Sequence, residues 1–130
     1  MNTLIILITH APTASAFREA LESMRFPYDK NTLFYFDIHN ATNPKEMTEN
    51  IHQRIQHYKG QSILILTDLI GSTPFHIAKQ VSAKQTTKAV RLVTGINLPM
   101  LLKAINYQLL SAEELSMKVL MGATESIVIN

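Results

Sequence analysis

The chain contains no cysteine, and only 4 of its 130 residues are glycine. Without cysteine, neither a disulfide framework nor a thiolate metal site is possible. Two common glycine-rich motifs are also missing, the Gly-x-x-x-x-Gly-Lys-Ser/Thr loop that cradles nucleotides and the Gly-x-Gly-x-x-Gly fingerprint of dinucleotide binding. The sequence therefore calls for no nucleotide, cofactor or metal.

The chain also lacks a large excess of positive or negative residues. The 12 lysines and arginines nearly balance the 10 aspartates and glutamates, and the formal charge is +2. These residues are scattered along the chain, whereas a nucleic-acid surface needs clustered basic residues. We expect no nucleic-acid partner.

No apolar segment is long enough to form a membrane span. The apolar stretch at residues 4–8 is too short to span a bilayer, no basic segment precedes it, and no small-residue cleavage site follows it. We therefore expect a cytoplasmic protein with no membrane insertion. The length of 130 residues and the 46% content of hydrophobic residues suit one domain over residues 1–130.

Strand-like and helix-like patterns alternate along the chain. The apolar or β-prone runs predict strands at residues 4–9, 32–38, 62–67 and 89–94. Amphipathic spacing and capping residues predict helices at 13–25, 44–58, 74–82 and 98–108, and a fifth helix that Ser111 opens and Gly122 closes. This order is typical of an α/β protein with a parallel sheet and helices on both faces. Residues 126–129 are β-prone and apolar, and we expect an edge strand that a second subunit covers.

Two polar residues stand where buried strands end. His10 follows the first apolar run and Asp68 follows the third. Because the carboxyl ends of parallel strands meet at one edge of a sheet, the two side chains can approach each other. A carboxylate that accepts a hydrogen bond from Nδ1 leaves Nε2 unprotonated and nucleophilic. Each residue could instead serve only as a cap at the end of its strand.

The loop after Asp68 suits an anion. Gly71, Ser72 and Thr73 supply backbone N–H groups and two hydroxyls at the start of a helix, where the helix dipole favours a phosphoryl group. The same residues fit a plain helix start with Thr73 as the N-cap and Pro74 in the first helical position.

Taken together, the motifs resemble those of the enzyme IIA component of the mannose-family sugar phosphotransferase system. The similarity lies in a Thr-His step at the first strand end, in Asp-Leu-Ile-Gly-Ser-Thr-Pro-Phe at 68–75, and in Thr-Gly-Ile-Asn-Leu-Pro-Met-Leu at 94–101. The family patterns are Asp-x-x-Gly-Gly-Ser/Thr-Pro-Phe and Gly-Val-Asn-Ile/Leu-Pro-Met-Leu. Two such loops in the right order are more specific than either one alone.

The resemblance implies a three-layer doubly wound fold, with four parallel strands and a C-terminal antiparallel edge strand that is exchanged in a homodimer. It implies that His10 is phosphorylated and that Asp68 orients its ring. The phosphoryl donor would be the histidine phosphocarrier protein HPr. The acceptor would be a IIB component, which serves sugar uptake.

This chain departs from the family pattern at three places. Ala11-Pro12 follows the histidine where glycine is usual, Ser72 replaces the second glycine, and His76 stands where asparagine is common. Two rivals stay open. A phosphotransfer subunit of a dihydroxyacetone kinase also resembles this family, and Ala11-Pro12 and Ser72 leave open a non-enzymatic regulatory module of the same fold. The segment 94–101 favours the sugar system over the kinase.

Four further histidines are present. We expect His52 and His57 to be solvated surface residues, and their spacing does not suit zinc. His39 follows the second strand and can approach the same edge as His10. His76 lies in the first turn of the helix that follows Gly71, Ser72 and Thr73, so it is a candidate contact for phosphate or a docking partner.

Overall fold

The computed structural model describes all 130 residues and contains one sheet of four parallel strands. The elements along the chain are β1 Leu4–His10, α1 Thr13–Ser23, β2 Leu33–Ile38, α2 Pro44–Ile55, β3 Ser62–Thr67, α3 Thr73–Lys84, β4 Ala89–Val93, α4 Leu98–Asn106 and α5 Ala112–Glu125. The strand order across the sheet is β2-β1-β3-β4. The predicted alternation of four parallel strands with helices is confirmed.

The central position of β1 and β3 in the sheet explains why their sequences are almost entirely apolar. In β1, alternate side chains point to opposite faces of the sheet, and both faces are covered by helices. Leu4, Ile6 and Ile8 pack against residues of α2 and α3. Ile5 and Leu7 pack against residues of α1, α4 and α5. Each of these side chains is almost completely buried, and burial stabilises the fold by about 1.5–3 kcal/mol per side chain.

Three helices begin at side-chain caps. Asn43 Oδ1 accepts a hydrogen bond from Glu46 N–H at α2, and Asn97 Oδ1 accepts one from Met100 N–H at α4, both at 3.0 Å. Ser111 Oγ accepts one from Glu114 N–H at α5. Each cap satisfies an N–H group that the first turn of a helix leaves unpaired. The caps predicted at Asn43 and Ser111 are confirmed.

The predicted end of α5 at Gly122 is wrong, because the helix continues to Glu125. Gly122 is buried inside the helix, where a Cβ atom would lie 2.5 Å from Cγ of Lys103 on α4. The missing side chain therefore allows α4 and α5 to pack closely. Sequence alone cannot separate this use of glycine from its use at a helix end.

The predicted end of α2 near Tyr58 is also too late, since the helix ends at Ile55. Tyr58 turns into the core, and its hydroxyl donates a hydrogen bond to the carbonyl oxygen of Asn2 at 2.6 Å. This tertiary contact draws the chain out of the helical path.

Residues 126–130 form no strand within a single chain. The side chains of Ile127, Val128 and Ile129 are largely exposed, and Ile129 is 97% exposed. The expected fifth strand therefore has no pairing partner inside the chain. None of the helices has the length and apolar character needed to cross a membrane.

Candidate active site

His10 and Asp68 meet at the carboxyl edge of the two central strands. β1 and β3 run parallel with Ile8 opposite Thr67, so both chains leave the sheet at the same place. Asp68 Oδ2 lies 2.9 Å from the backbone nitrogen of His10 and 2.9 Å from its ring Nδ1. One carboxylate oxygen thus accepts hydrogen bonds from the backbone and from the ring of the same histidine.

The other oxygen of Asp68 is also bound. Oδ1 accepts a hydrogen bond from Leu69 N–H at 2.8 Å, so the orientation of the carboxylate is fixed at both ends. Partial burial acts to raise the pKa of the Asp68 carboxyl, but the hydrogen bonds from His10 and Leu69 outweigh it and lower the pKa below its usual range.

An ionised Asp68 decides the state of the His10 ring. A carboxylate can only accept, so Nδ1 must carry the proton. In the neutral form of the ring, the lone pair of Nε2 is then free. The His10 side chain is 48% exposed, whereas that of Asp68 is 19% exposed. The His10 ring is therefore partly open to solvent, while the carboxylate bound to it is sheltered.

The loop from Asp68 to Ser72 leads directly into α3. Gly71 has φ +81°, a left-handed conformation that favours glycine, and no atom lies near the space that a Cβ would fill. Ser72 closes the turn, because its N–H and its hydroxyl both donate to the carbonyl oxygen of Leu69. The N–H groups of Gly71 and Thr73 donate no hydrogen bond within the chain.

The expected N-cap at Thr73 is wrong. Ser72 occupies the N-cap position, Thr73 is the first helical residue, and Pro74 follows it. Ser72 makes no side-chain cap bond, since its hydroxyl is bound to Leu69, whereas the exposed Thr73 hydroxyl has no partner in the chain. Of the three residues predicted to bind a phosphoryl group, Gly71 and Thr73 thus keep free hydrogen-bond donors, and Ser72 uses its donors to close the turn.

The loop after β4 supports the same edge. Gly95, at φ +77°, donates its N–H to the carbonyl oxygen of Asp68 at 3.0 Å, and Ile96 donates to Thr67 at 3.0 Å. These bonds hold the backbone of Asp68 from the side opposite β1. Sequence reasoning could not find this contribution, because it comes from backbone groups.

The other histidines have different surroundings. His39 follows β2 at this edge and is exposed, but its side chain makes no hydrogen bond to His10 or Asp68. His76 is exposed and lines a cleft between α2 and α3 together with Lys45 and Glu49. The expectation that His52 is solvated is wrong. It is half-buried, and its Nδ1 lies 2.9 Å from Gln85 Nε2, because α2 and α3 pack against each other at this point.

The model of the EIIA-man family, described as the PTS system fructose IIA component, matches residues 4–120. The chain belongs to this family. A relative in Lacticaseibacillus casei, the PTS system sorbose-specific EIIA component, is 36% identical over 113 residues, which cover 85% of this chain and 78% of the relative.

Solved structures agree in fold. The phosphotransferase system component EIIA from Streptococcus agalactiae superposes with a TM-score of 0.86 at 23% identity, covering 98% of this chain and 96% of its own. The mannose/sorbose-specific IIA subunit from Enterococcus faecalis gives 0.81 at 20% identity, covering 100% and 96%.

The protein is thus a mannose-family IIA component of a sugar phosphotransferase system, and it acts as a phosphotransferase that carries phosphoryl groups in sugar uptake. The resemblance inferred from the sequence motifs is confirmed. The family match does not favour the dihydroxyacetone kinase subunit or the non-enzymatic module.

The lowered pKa of Asp68 leads to a test. Its carboxyl should titrate below the ordinary aspartate value of about 3.9, and His10→Ala should move the midpoint upward because the ring hydrogen bond is lost. Since the pKa of Asp68 is lower in the folded state than in the unfolded state, the ionised carboxylate stabilises the fold. This stabilisation is present above the unfolded pKa of about 3.9, and it is lost as the pH falls through the lower folded pKa. Carboxyl-carbon NMR measures both midpoints, and a midpoint at or above the ordinary value would contradict this account.

Proposed function

We propose that His10 is the residue that carries the phosphoryl group. Its Nε2 attacks the phosphorus of a phosphohistidine on HPr, so a new N–P bond forms at His10 as the N–P bond of the donor breaks. In the second half of the cycle, a histidine or other nucleophile of the IIB component takes the group from His10, and Nε2 regains its lone pair. The observation that carries the proposal is the double hydrogen bond from His10 to one oxygen of Asp68.

Asp68 is proposed to hold the ring and to stabilise its cation. When Nε2 is phosphorylated the imidazole becomes positively charged while Nδ1 keeps its proton. An ionised carboxylate 2.9 Å from Nδ1 stabilises that charge by a charge-assisted hydrogen bond. The same bond restricts rotation of the ring, so the entropy of alignment is lost on folding and not during transfer.

Gly71 and Thr73 are proposed to receive the phosphoryl oxygens, in a turn that Ser72 holds closed. Side chains of β1 alternate between faces, and Ile8 lies on the α3 side, so His10 continues on that side. On that side, the N–H groups of Gly71 and Thr73 have no acceptor in the chain and lie at the positive end of the 12-residue helix α3. Ser72 contributes by holding the turn, and such preorganised donors supply the electrostatic stabilisation typical of phosphoryl transfer.

The surroundings of His10 suit a docking protein. The four loops at this edge, residues 10–12, 39–43, 68–72 and 94–97, contain no lysine, arginine, aspartate or glutamate except Asp68. Leu69 and Ile70 project from them with 60% and 69% of their surface exposed. A donor must bring its phosphorus to within about 3–3.5 Å of Nε2 and so must cover these loops. An uncharged rim with apolar side chains can be covered without stripping water from charges.

We propose in addition that the chain forms a homodimer by exchange of its C-terminal strand. β4 is an edge strand with one unpaired side, and the tail residues Ile127 to Ile129 are apolar and exposed. An antiparallel tail from a second copy would pair with such an edge and would bury apolar side chains of both chains. We propose a cytoplasmic location, as the family resemblance implies.

Incubation with phosphoenolpyruvate and the general phosphotransferase proteins should add about 80 Da, the mass of one phosphoryl group. His10→Ala should remove this addition, because it removes the attacking nitrogen. The matched control His76→Ala changes an exposed histidine on α3 and should leave the labelling intact. Intact-mass spectrometry reads all three proteins, and a labelled His10→Ala protein would refute the assignment.

The docking surface is tested by the double variant Leu69→Ala/Ile70→Ala. Loss of apolar contact should raise the KM for phosphorylated HPr about tenfold, equivalent to about 1.4 kcal/mol, and should leave kcat little changed. Leu109→Ala is the control, since Leu109 is 80% exposed in the loop before α5. An unchanged KM in the double variant, or an equal rise in the control, would argue against docking at this rim.

Removal of residues 126–130 tests the exchanged strand. The shortened protein should be a monomer at a concentration where the full chain is a dimer, because the segment that pairs with the partner's β4 is gone. Met24→Ser, which changes another exposed apolar residue, should remain dimeric. Analytical ultracentrifugation gives the masses. A monomeric full chain or a dimeric truncated one would rule out the proposed exchange.

A further inference from the structure

Helix α1 begins directly after the segment that carries His10, yet it has no cap of its own. Its N-cap position is Pro12, which has no side-chain oxygen, and its first turn contains no acidic residue. The N–H groups of the first turn therefore need a partner from elsewhere in the chain.

The partner is Asp37 of β2. Its Oδ1 accepts a hydrogen bond from the backbone N–H of Ser15 at 3.3 Å, and its Oδ2 accepts one from the Ser15 hydroxyl. Asp37 thus does from a neighbouring strand what an N-cap side chain normally does from within the chain segment. Its negative charge also stands at the positive end of the helix dipole.

Asp37 is unusual for its position. It is the only aspartate, glutamate, lysine or arginine in β1, β2 and β3, and it is half-buried. No basic side chain lies within ion-pair distance of it. Partial burial of a carboxylate without a neighbouring cation costs free energy unless hydrogen bonds compensate for the lost water. The only hydrogen-bond partners of the Asp37 carboxylate are the backbone N–H and the hydroxyl of Ser15.

A second hydrogen bond attaches β2 to the segment that carries His10. The N–H of Ala11 donates to the carbonyl oxygen of Ile38 at 3.0 Å, one residue beyond Asp37. The backbone that follows His10 is therefore attached to β2 before and after Pro12. On its other side, His10 is attached to β3 only through Asp68.

We propose that Asp37 is a positioning residue for phosphoryl transfer. Through Ser15 it fixes the start of α1, and with Ile38 it fixes the backbone from which His10 faces Asp68 and the partner. Transfer depends on this alignment, because a displacement of about 1 Å can reduce a rate about a hundredfold. The inference rests on the proposed role of His10, and Asp37 itself does not touch the phosphoryl group.

Single-turnover phosphorylation of the full chain by phosphorylated HPr tests the proposal. Asp37→Ala should lower the maximal rate about tenfold or more and should leave the KM for HPr unchanged, since the docking rim is intact. Asp37→Asn keeps an oxygen that accepts from Ser15 N–H and should restore most of the rate. Ser15→Ala/Asp37→Ala should be no slower than Asp37→Ala, because the two residues act through one contact.

Ser111→Ala is the control for a purely structural role. It removes the cap of α5 at the opposite edge, near the first residue of β3, and should lower the Tm without slowing transfer. Circular dichroism verifies that each variant is folded. A wild-type rate in Asp37→Ala, or the same loss of rate in Asp37→Asn as in Asp37→Ala, would overturn the inference.

The two proposals fail in different ways. If the wild-type chain takes no label, or if His10→Ala still takes it, the proposed function is wrong. If labelling requires His10 but its rate is indifferent to Asp37, only the positioning role is wrong.

Discussion

The parallel pairing of β1 with β3 is the constraint on which the rest of the molecule depends. Both strands are buried on both faces, so they can lie only at the centre of the sheet with helices on each side. Their register then brings His10 and Asp68 to one edge. The geometry of the candidate site is therefore a consequence of the core, because its two residues are 58 positions apart and meet only through this pairing.

Asp68 connects the separate loops of that edge. Its carboxylate receives the N–H and the ring of His10 together with the N–H of Leu69, while its own carbonyl oxygen receives the N–H of Gly95. The segments that resemble the family motifs are thus joined by hydrogen bonds to a single residue. Each segment supports a different side of this aspartate.

A single residue type predicts less than the pattern of the whole sequence. Gly122 is typical of a helix end but here allows close packing against Lys103, and Ser72 takes the cap position for which Thr73 is equally suited by type. His52 is typical of a solvated surface but contacts Gln85 at the end of a neighbouring helix. In each case the residue type is compatible with two environments, and the choice between them depends on a partner that is distant in sequence.

Periodicity, capping and apolar runs are local properties. They were therefore enough to predict the alternation of strands and helices, the two-sided burial of the central strands, and the residues available at their ends. Two loop motifs in the right order also predicted the family. The folded chain alone shows which donors remain free, which turn Ser72 closes, and which strand caps α1. Those outcomes depend on hydrogen bonds between backbone and side-chain groups far apart in the chain, and local sequence preferences do not specify such partners.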